Sequence, residues 1–409
     1  MTDNNISQLH KPEPIDLLQQ VLKQGAQQLL AKAIETEVQL LLDTNKSLMT
    51  NEGKAGLVRN GYLPERTIQT GLGDIDVKVR DRTGQGIKFN SALVPPYLKR
   101  SQTMEEFLPW LYLRGISTGD FSESLKHLLG DQAKGLSAYT ISRLTSTWEV
   151  DFTYWQQRDL SKKRYVYIWA DGVYCNVRMD DKICLLVIIG SDEVVNKELI
   201  AVSDGYRESE ASRSDVLLDL KQRGLQSDPK VTVGDGAPGF WKAMAKCWPE
   251  TQGQRCWVYK TASVLAKLPK AIQPKVKGLL HEIWLSETKA QANKAMNDCI
   301  SRYNVKYPKA TKCLEKDREA LLIFYDFPAE HWGHLRTSNP IESVFATVRL
   351  RTTKSKHCGS RATTLAMVLT LMETAQKRWH RLRGYNLLAD VITGVKFSDG
   401  IKQQDKEAV

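Results

Sequence analysis

Arg164-Tyr-Val-Tyr-Ile-Trp-Ala-Asp171-Gly172 is the stretch whose reading decides the fold. Aromatic and β-branched residues fill it until an acid and a glycine end it, the pattern of a mostly buried strand with one carboxylate at its tip. Lys230-Val-Thr-Val-Gly-Asp235-Gly236 repeats that form further along. A third acid, Glu342, opens a helix within Arg336-Thr-Ser-Asn-Pro-Ile-Glu342-Ser-Val-Phe-Ala-Thr-Val-Arg-Leu-Arg351. Two strand-end aspartates and one helical glutamate are candidates to converge on a pair of divalent cations. Cutting or joining a nucleic-acid backbone uses two such ions about 3.5–4 Å apart, held by hard oxygen ligands.

Between these landmarks the chain alternates strand and helix. Strand candidates lie at 164–171, 173–179, 183–190 and 198–203, three of them joined by tight turns, so the opening of the sheet reads as antiparallel. A helix over 207–223 follows, then the Asp235 strand, a helix from Pro238 to Cys247, and a short strand over 254–258. Three antiparallel strands followed by two strands separated by a helix is the order of a ribonuclease-H-like α/β core with a mixed five-stranded sheet. Residues 261–329 carry only helical patterns, at 276–287, 289–303 and 310–326, and read as an all-helical insertion before the Glu342 helix. A further helix spans 364–378.

Upstream, residues 15–43 place leucine, isoleucine and valine at helical spacing, a face suited either to an ordinary core or to dimerisation. The stretch 53–61 reads as a loop with Lys54 and Arg59, and 67–80 alternates around two glycines like a β-hairpin. Residues 81–100 read as irregular and basic, punctuated by Pro95-Pro96. Three short helices follow at 104–114, 118–129 and 137–150, with Gly130 and Gly135 in the last turn. A helix-turn-helix of this kind would present Ser137, Tyr139, Thr140 and Arg143 to DNA while Ile141, Leu144 and Trp148 pack inward. The expected division is an N-terminal helical region (1–66), a hairpin with a basic loop (67–100), and a helix-turn-helix-like DNA-binding domain (101–158). A catalytic domain (159–260 and 330–376), the helical insertion (261–329) and a basic tail (377–409) complete it.

Composition narrows the function. With 409 residues and 42% hydrophobic content the chain suits a soluble multidomain protein, and a net charge of +11 favours a polyanionic partner. Cysteines at 175, 184, 247, 256, 299, 313 and 358 are odd in number and form no C-x-x-C pair. A disulfide framework or zinc ribbon is therefore disfavoured and a reducing cytoplasm is the simplest setting. The N-terminus lacks a basic n-region with an apolar core, and no apolar run approaches membrane-spanning length, so no membrane association is expected.

Each acid also has a bland reading. Asp-Gly after a strand is a common turn, as at Asp204-Gly205. Asp235 could cap the next helix, and Asn339-Pro340-Ile341-Glu342 has the form of a capping box. Two local features weigh the other way. Ile341, Val344, Phe345 and Val348 mark the buried stripe of the Glu342 helix, leaving Glu342 and Arg349 on one open face. Arg349, Arg351, Lys354, Lys356 and Arg361 then run on without an acid, a basic path suited to phosphates.

Taken together, several phrases resemble the Mutator superfamily of bacterial insertion-sequence transposases, which are DDE transposases. They are Arg59-Asn-Gly-Tyr-Leu-Pro64, Phe89-Asn-Ser-Ala-Leu93, Leu113-Arg-Gly-Ile-Ser-Thr-Gly119, Trp169-Ala-Asp-Gly-Val173 and Asp204-Gly-Tyr-Arg-Glu-Ser209, followed by Val233-Gly-Asp-Gly-Ala237, Leu268-Pro-Lys270, Tyr325-Asp-Phe-Pro-Ala-Glu-His-Trp332 and Thr337-Ser-Asn-Pro-Ile-Glu342. The resemblance spans about residues 55–400 and implies Asp171, Asp235 and Glu342 as catalytic acids and metal ligands. It further implies two Mg²⁺ or Mn²⁺ ions per site, a ribonuclease-H-like fold with a helical insertion, and an N-terminal part that binds the terminal inverted repeats of the element. The implied chemistry is nicking that frees a 3′-hydroxyl, then attack of that hydroxyl on another phosphodiester, in a dimer or larger assembly acting on double-stranded DNA at the nucleoid. A departure stands beside it: the family usually carries cysteine, two residues, then histidine after the fifth strand, and here the segment is Cys256-Trp-Val-Tyr259. A phenol donates a hydrogen bond but does not shuttle protons near neutral pH, so activity survives if the family's histidine is structural and suffers if it is catalytic; Cys256 and Tyr259 are near-site candidates.

Other residues have lesser claims. His331 and His334 sit at a metal-ligand spacing without a supporting cluster, which favours a structural or substrate-contact role. Trp332 reads as packed rather than stacked on a base, and Lys377-Arg-Trp-His-Arg-Leu-Arg383 as either a phosphate contact or a solvated helix end. Two rival functions are an inactive DNA-binding protein that keeps the fold and a ribonuclease-H-like nuclease that cuts without joining.

Overall fold

A computed structural model describes residues 17–49, 51, 53–59, 61–79, 89–113, 116, 121–129, 138–178, 181–204, 210–354 and 360–403. The chain divides into two compact units, Met1–Ile141 and Ser142–Val409.

In the first unit, α1 (Leu17–Thr44) is followed by an antiparallel hairpin of β1 (Arg66–Thr70) and β2 (Gly73–Val77), as the two-glycine pattern predicts. Ile34 of α1 packs with Ile68, Ile75, Val77, Val79 and Val94 into a small core. The segment expected to be irregular is tied down where it is described. Arg66 donates to the carbonyls of Val94 and Pro95, both at 2.6 Å, and the Glu37 carboxylate accepts from the amides of Ala92 and Leu93. Ala26 and Leu30 also pack against this core, whereas Leu17, Leu18, Val21, Leu22 and Leu29 are exposed. Next, α2 (Gln102–Leu113) and α3 (Phe121–Leu129) share a core of Met104, Leu108 and Leu125. The turn 130–137 lies outside the described residues.

The second unit takes in α4 (Ala138–Gln156) from Ser142 onward and centres on a five-stranded sheet. Its strands are β3 (Tyr165–Arg178), β4 (Asp181–Asp192), β5 (Lys197–Asp204), β6 (Val231–Gly234) and β7 (Gln252–Arg255), in the order β5-β4-β3-β6-β7. β3, β4 and β5 pair antiparallel, whereas β6 and β7 join in parallel. α5 (Glu210–Gln222) and α6 (Pro238–Cys247) are the crossovers that parallel pairing requires.

Two strand expectations need correction. Residues 164–171 and 173–179 are not two strands joined at Asp171-Gly172; β3 runs through them without a break. Asp171 faces Val187 and Gly172 faces Leu186 across the same ladder. The reason is visible beyond the glycine, where Val173, Cys175 and Val177 are all buried and keep the period of two. Likewise Trp257 and Val258 are helix, not strand: α7 (Trp257–Leu265) begins directly after Cys256.

Alternation along β3 sorts its side chains. Ile168 and Ala170 join Leu217, Leu220, Phe240, Ala243 and Met244 under α5 and α6. Tyr167, Trp169 and Asp171 therefore point to the other face. Tyr165 joins the first set because a register shift separates it from Tyr167.

The expected helical stretch follows β7, with α7, α8 (Gln273–Leu285), α9 (Lys289–Tyr303), α10 (Pro308–Glu315) and α11 (Arg318–Leu321). The helix expected over 310–326 is broken into α10, α11 and a 3₁₀ turn at Ile323–Asp326. α12 (Trp332–Leu335) then leads to α13 (Asn339–Lys354), which packs on β3, and α14 (Arg361–Gln376), which packs on β5. α15 (Leu388–Thr393) and a minimal hairpin of β8 (Phe397–Ser398) and β9 (Ile401–Lys402) end the described chain.

Candidate active site

Parallel pairing of β3 with β6 brings the two aspartates together. Ala170 lies opposite Gly234, so Asp171 and Asp235 leave that register side by side on neighbouring strands, which lie about 4.8 Å apart. Asp171 sits inside the β3–β4 ladder but at the tip of the β3–β6 ladder, because β6 ends one residue earlier. Only 3% of Asp171 is exposed. Its Oδ1 accepts from the Gly172 amide at 2.7 Å and its Oδ2 from the Tyr259 hydroxyl at 2.8 Å. Burial pushes the Asp171 carboxyl up to about 6, and the negative charges of Asp235 and Glu342 act in the same direction. The same effects, burial first and then the Asp171 charge, raise the Tyr259 phenol and keep it a donor.

Asp235 is held through its main chain. Its carbonyl accepts from Trp241 Nε1 at 2.8 Å and from Arg255 Nη1 at 2.6 Å, while the Arg255 guanidinium lies 4.7 Å from the Trp241 ring centroid. The indole fits because two of its neighbours are glycines. A Cβ on Gly253 would fall 2.7 Å from Trp241 Cζ3, and one on Gly234 would fall 3.3 Å from Cζ2. The Asp235 side chain accepts from the Ala237 amide at 3.0 Å, a local turn contact and not the expected helix cap, because the N-cap of α6 is Ala237 and no side chain caps it. Arg255 in turn faces Asp317, 3.9 Å away, and Lys260 pairs with the same carboxylate, joining the helical stretch to the strand beside Asp235.

Glu342 lies in the first turn of α13 and is partly buried. The helix starts at Asn339, one residue earlier than an Asn339 N-cap would give, and the Ser338 carbonyl accepts from the amides of Ile341 and Glu342. Cys256 braces that entrance. Its Sγ accepts from the Ser338 amide at 3.3 Å, and the Trp257 amide donates to the Arg336 carbonyl at 2.9 Å. Burial raises the Cys256 thiol, which stays neutral and structural.

Three carboxylates within electrostatic reach of one another are the hard donors a divalent cation takes. Burial and the charges of Asp235 and Glu342 all disfavour the ionised form of Asp171, and a bound cation would offset them. Among the described residues, however, no three His, Cys, Asp or Glu side chains stand close enough to hold one ion together. The donor chemistry fits the group, and the carboxylate oxygens do not form a closed shell.

Residues 2–382 match the family model described as "Transposase, Mutator family". The chain belongs to the Mutator family of transposases. The transposase for insertion sequence element IST2 of Acidithiobacillus ferrooxidans is 48% identical over 286 residues, covering 68% of this chain and 95% of that one. The transposase for IS6120 of Mycolicibacterium smegmatis is 47% identical over 298 residues, covering 73% and 92%. Among solved structures, the Drosophila P element transposase strand transfer complex aligns at 12% identity over 71% of this chain and 91% of that chain. Its TM-score of 0.23 is too low for the two architectures to be compared.

For this Mutator-family transposase the expected DNA contacts fare unevenly. Arg349 is exposed on α13, beside Phe345 and one helical face with Glu342, and Arg143 is exposed on α4. Arg351 is not a surface contact: it is 2% exposed, because it follows Val348 by three residues on the stripe that begins at Ile341. The side chains of Tyr139, Thr140 and Lys354 and the whole of Lys356 lie outside the described residues. His331 is buried, with Nδ1 2.8 Å from the Tyr167 hydroxyl and Nε2 2.9 Å from the Gly384 carbonyl. His334 accepts from the Arg383 amide, and its carbonyl accepts from Trp169 Nε1. Both histidines are structural. Trp332 is packed edge-on against Phe324 and Tyr325 and donates to the Phe327 carbonyl. Sequence reasoning missed Trp241, Arg255 and Asp317. The one signal for the first was a pair of strand glycines, Gly234 and Gly253, in successive strands.

Proposed function

We propose that this transposase binds the terminal inverted repeats of its own insertion sequence and catalyses strand nicking and strand transfer with the help of two Mg²⁺ or Mn²⁺ ions. The observation that carries the reading is the parallel register that sets Asp171 beside Asp235 with Glu342 in electrostatic reach. In this reading Asp171, Asp235 and Glu342 hold the ions in a ribonuclease-H-like core. When bound, the ions generate a nucleophile from water or a 3′-hydroxyl and stabilise the leaving oxygen. Gly172 and Tyr259 orient Asp171, Trp241 and Arg255 fix the main chain of Asp235, and Cys256 with Ser338 sets the entry of α13. Hydrolysis of a phosphodiester at the element end would free a 3′-hydroxyl, which then attacks a target phosphodiester and expels a 3′-oxygen. Arg349 and Arg143 are candidates for backbone phosphates. The helical stretch 261–329 is read as an insertion in the core, and processing two element ends together calls for a dimer or larger assembly. No described helix is long and apolar enough to cross a membrane.

Incubating the purified protein with end-sequence DNA and Mg²⁺ or Mn²⁺ tests this. Joined products are expected from the wild type, and Asp235→Asn should bind the same DNA without reacting. Cleavage without joining would make the protein a nuclease, and retention without chemistry would make it a binder.

A further inference from the structure

We propose that Tyr259 is a positioning residue whose hydroxyl holds the Asp171 carboxylate in the orientation that receives a divalent cation. The inference rests on the functional reading above and concerns a side chain of this sequence. Tyr259 is the third residue of α7, which follows β7, one of the two edge strands, after the single residue Cys256. Asp171 is on β3, two strands away, with β6 between them. The phenol therefore spans the end of the strand that carries Asp235 in order to reach Asp171 Oδ2 at 2.8 Å.

Its effect follows from carboxylate geometry. Rotation about the last bond of an aspartate is soft and nearly two-fold, so packing alone fixes it poorly. Here the Gly172 amide holds one oxygen at 2.7 Å and Tyr259 holds the other. Two donors on different oxygens define the carboxylate plane, and an ionised carboxylate with about four acceptor positions still has room for a cation. The platform is rigid on both sides of Tyr259. The Trp257 amide and indole donate to the carbonyls of Arg336 and Leu321, both at 2.9 Å, and Lys260 donates to Cys313 at 3.0 Å and pairs with Asp317. Hydrogen-bonding partners of this kind tune ligand groups, and losing one costs roughly 10–100-fold in metal affinity.

The test is a titration of the full-length protein with Mn²⁺ at neutral pH, without DNA, with free Mn²⁺ read by electron paramagnetic resonance. Tyr259→Phe should weaken Mn²⁺ binding about tenfold. In an Asp171→Asn background the same change should add nothing, because the hydroxyl acts through that carboxylate. A tyrosine that merely packs would move unfolding and leave Mn²⁺ affinity untouched. Should the phenylalanine variant not fold, Tyr259→Gln has a donor of too short a reach and the same loss is expected. Equal Mn²⁺ affinity in wild type and variant overturns this inference alone, as does an undiminished loss in the Asp171→Asn background. A wild type that takes up no Mn²⁺ overturns it together with the metal-dependent reading.

Discussion

Gly253→Ala should unseat the main chain that carries Asp235. A Cβ at this position would lie 2.7 Å from Cζ3 and 2.9 Å from Cε3 of Trp241. Carbon atoms pack at about 3.5–4.0 Å, so the indole has to retreat by roughly 1 Å. Its Nε1 donates to the Asp235 carbonyl at 2.8 Å, and a retreat of that size breaks the bond. Overpacking costs about 1–3 kcal/mol and the lost hydrogen bond about 1 kcal/mol, for a total near 2–4 kcal/mol. A displacement of the same order at a reacting centre costs about 100-fold in rate. Urea unfolding followed by tryptophan fluorescence reads the first quantity, and strand transfer at saturating DNA reads the second. Gly236→Ala is the internal control. Nothing lies within 4 Å of a Cβ there and its φ is outside the left-handed region, so its stability should match or slightly exceed wild type. Wild-type stability in Gly253→Ala, or an equal loss in Gly236→Ala, would refute the reasoning.

Three further outcomes are expected. Asp317→Ala leaves Arg255 and Lys260 without their shared carboxylate, but each keeps a carbonyl partner, so the loss should be about 2–3 kcal/mol by urea unfolding, below the 3–5 kcal/mol of a fully stranded charge. An unchanged midpoint would show that the cluster stabilises nothing. His334 is held down to about 4 by burial and then by the positive charges of Lys197, His331 and Arg383, against 6.5 when free. Its neutral form is the folded one, so stability is fully present above pH 6.5 and falls as pH drops toward 4, by about 1 kcal/mol at pH 5 after allowance for solvent. His334→Gln should flatten that slope in thermal unfolding at pH 5 against pH 7; an identical slope would exclude His334 as its source. Finally, glutamate at Leu18, Leu22 and Leu29 should convert a dimer to a monomer by light scattering if the exposed face of α1 joins two copies. An unchanged mass would place the contact elsewhere.

Much of this was legible because periodicity is local. The run from Tyr165 to Asp171, the crossover helix from Pro238 to Cys247 and the helix at Lys289–Tyr303 each announce themselves within their own short span. Failures came where a local signal was overruled. Asp171-Gly172 has turn chemistry, yet pairing with β4 on one side and a buried Val173 on the other carries the strand straight through. Arg351 was read by its charge when its helical phase, three residues after Val348, already assigned it to the interior. Tyr259 was legible as a near-site residue but its pairing with Asp171 was not, and the grip of Trp241 and Arg255 on Asp235 left only the two strand glycines as a trace, since each contact depends on how separate elements stack.

The uninterrupted passage of β3 through Asp171 makes the reading frame of the strand itself a determinant of chemistry. Side chains on such a ribbon switch sides at every step. Deleting any one residue between Val166 and Ala170 would leave all three acids in the sequence, yet a ladder that slid to close the gap would aim the carboxylate beneath α5 and α6, among aliphatic side chains. Point substitutions along this strand should therefore be tolerated far better than any change in its length.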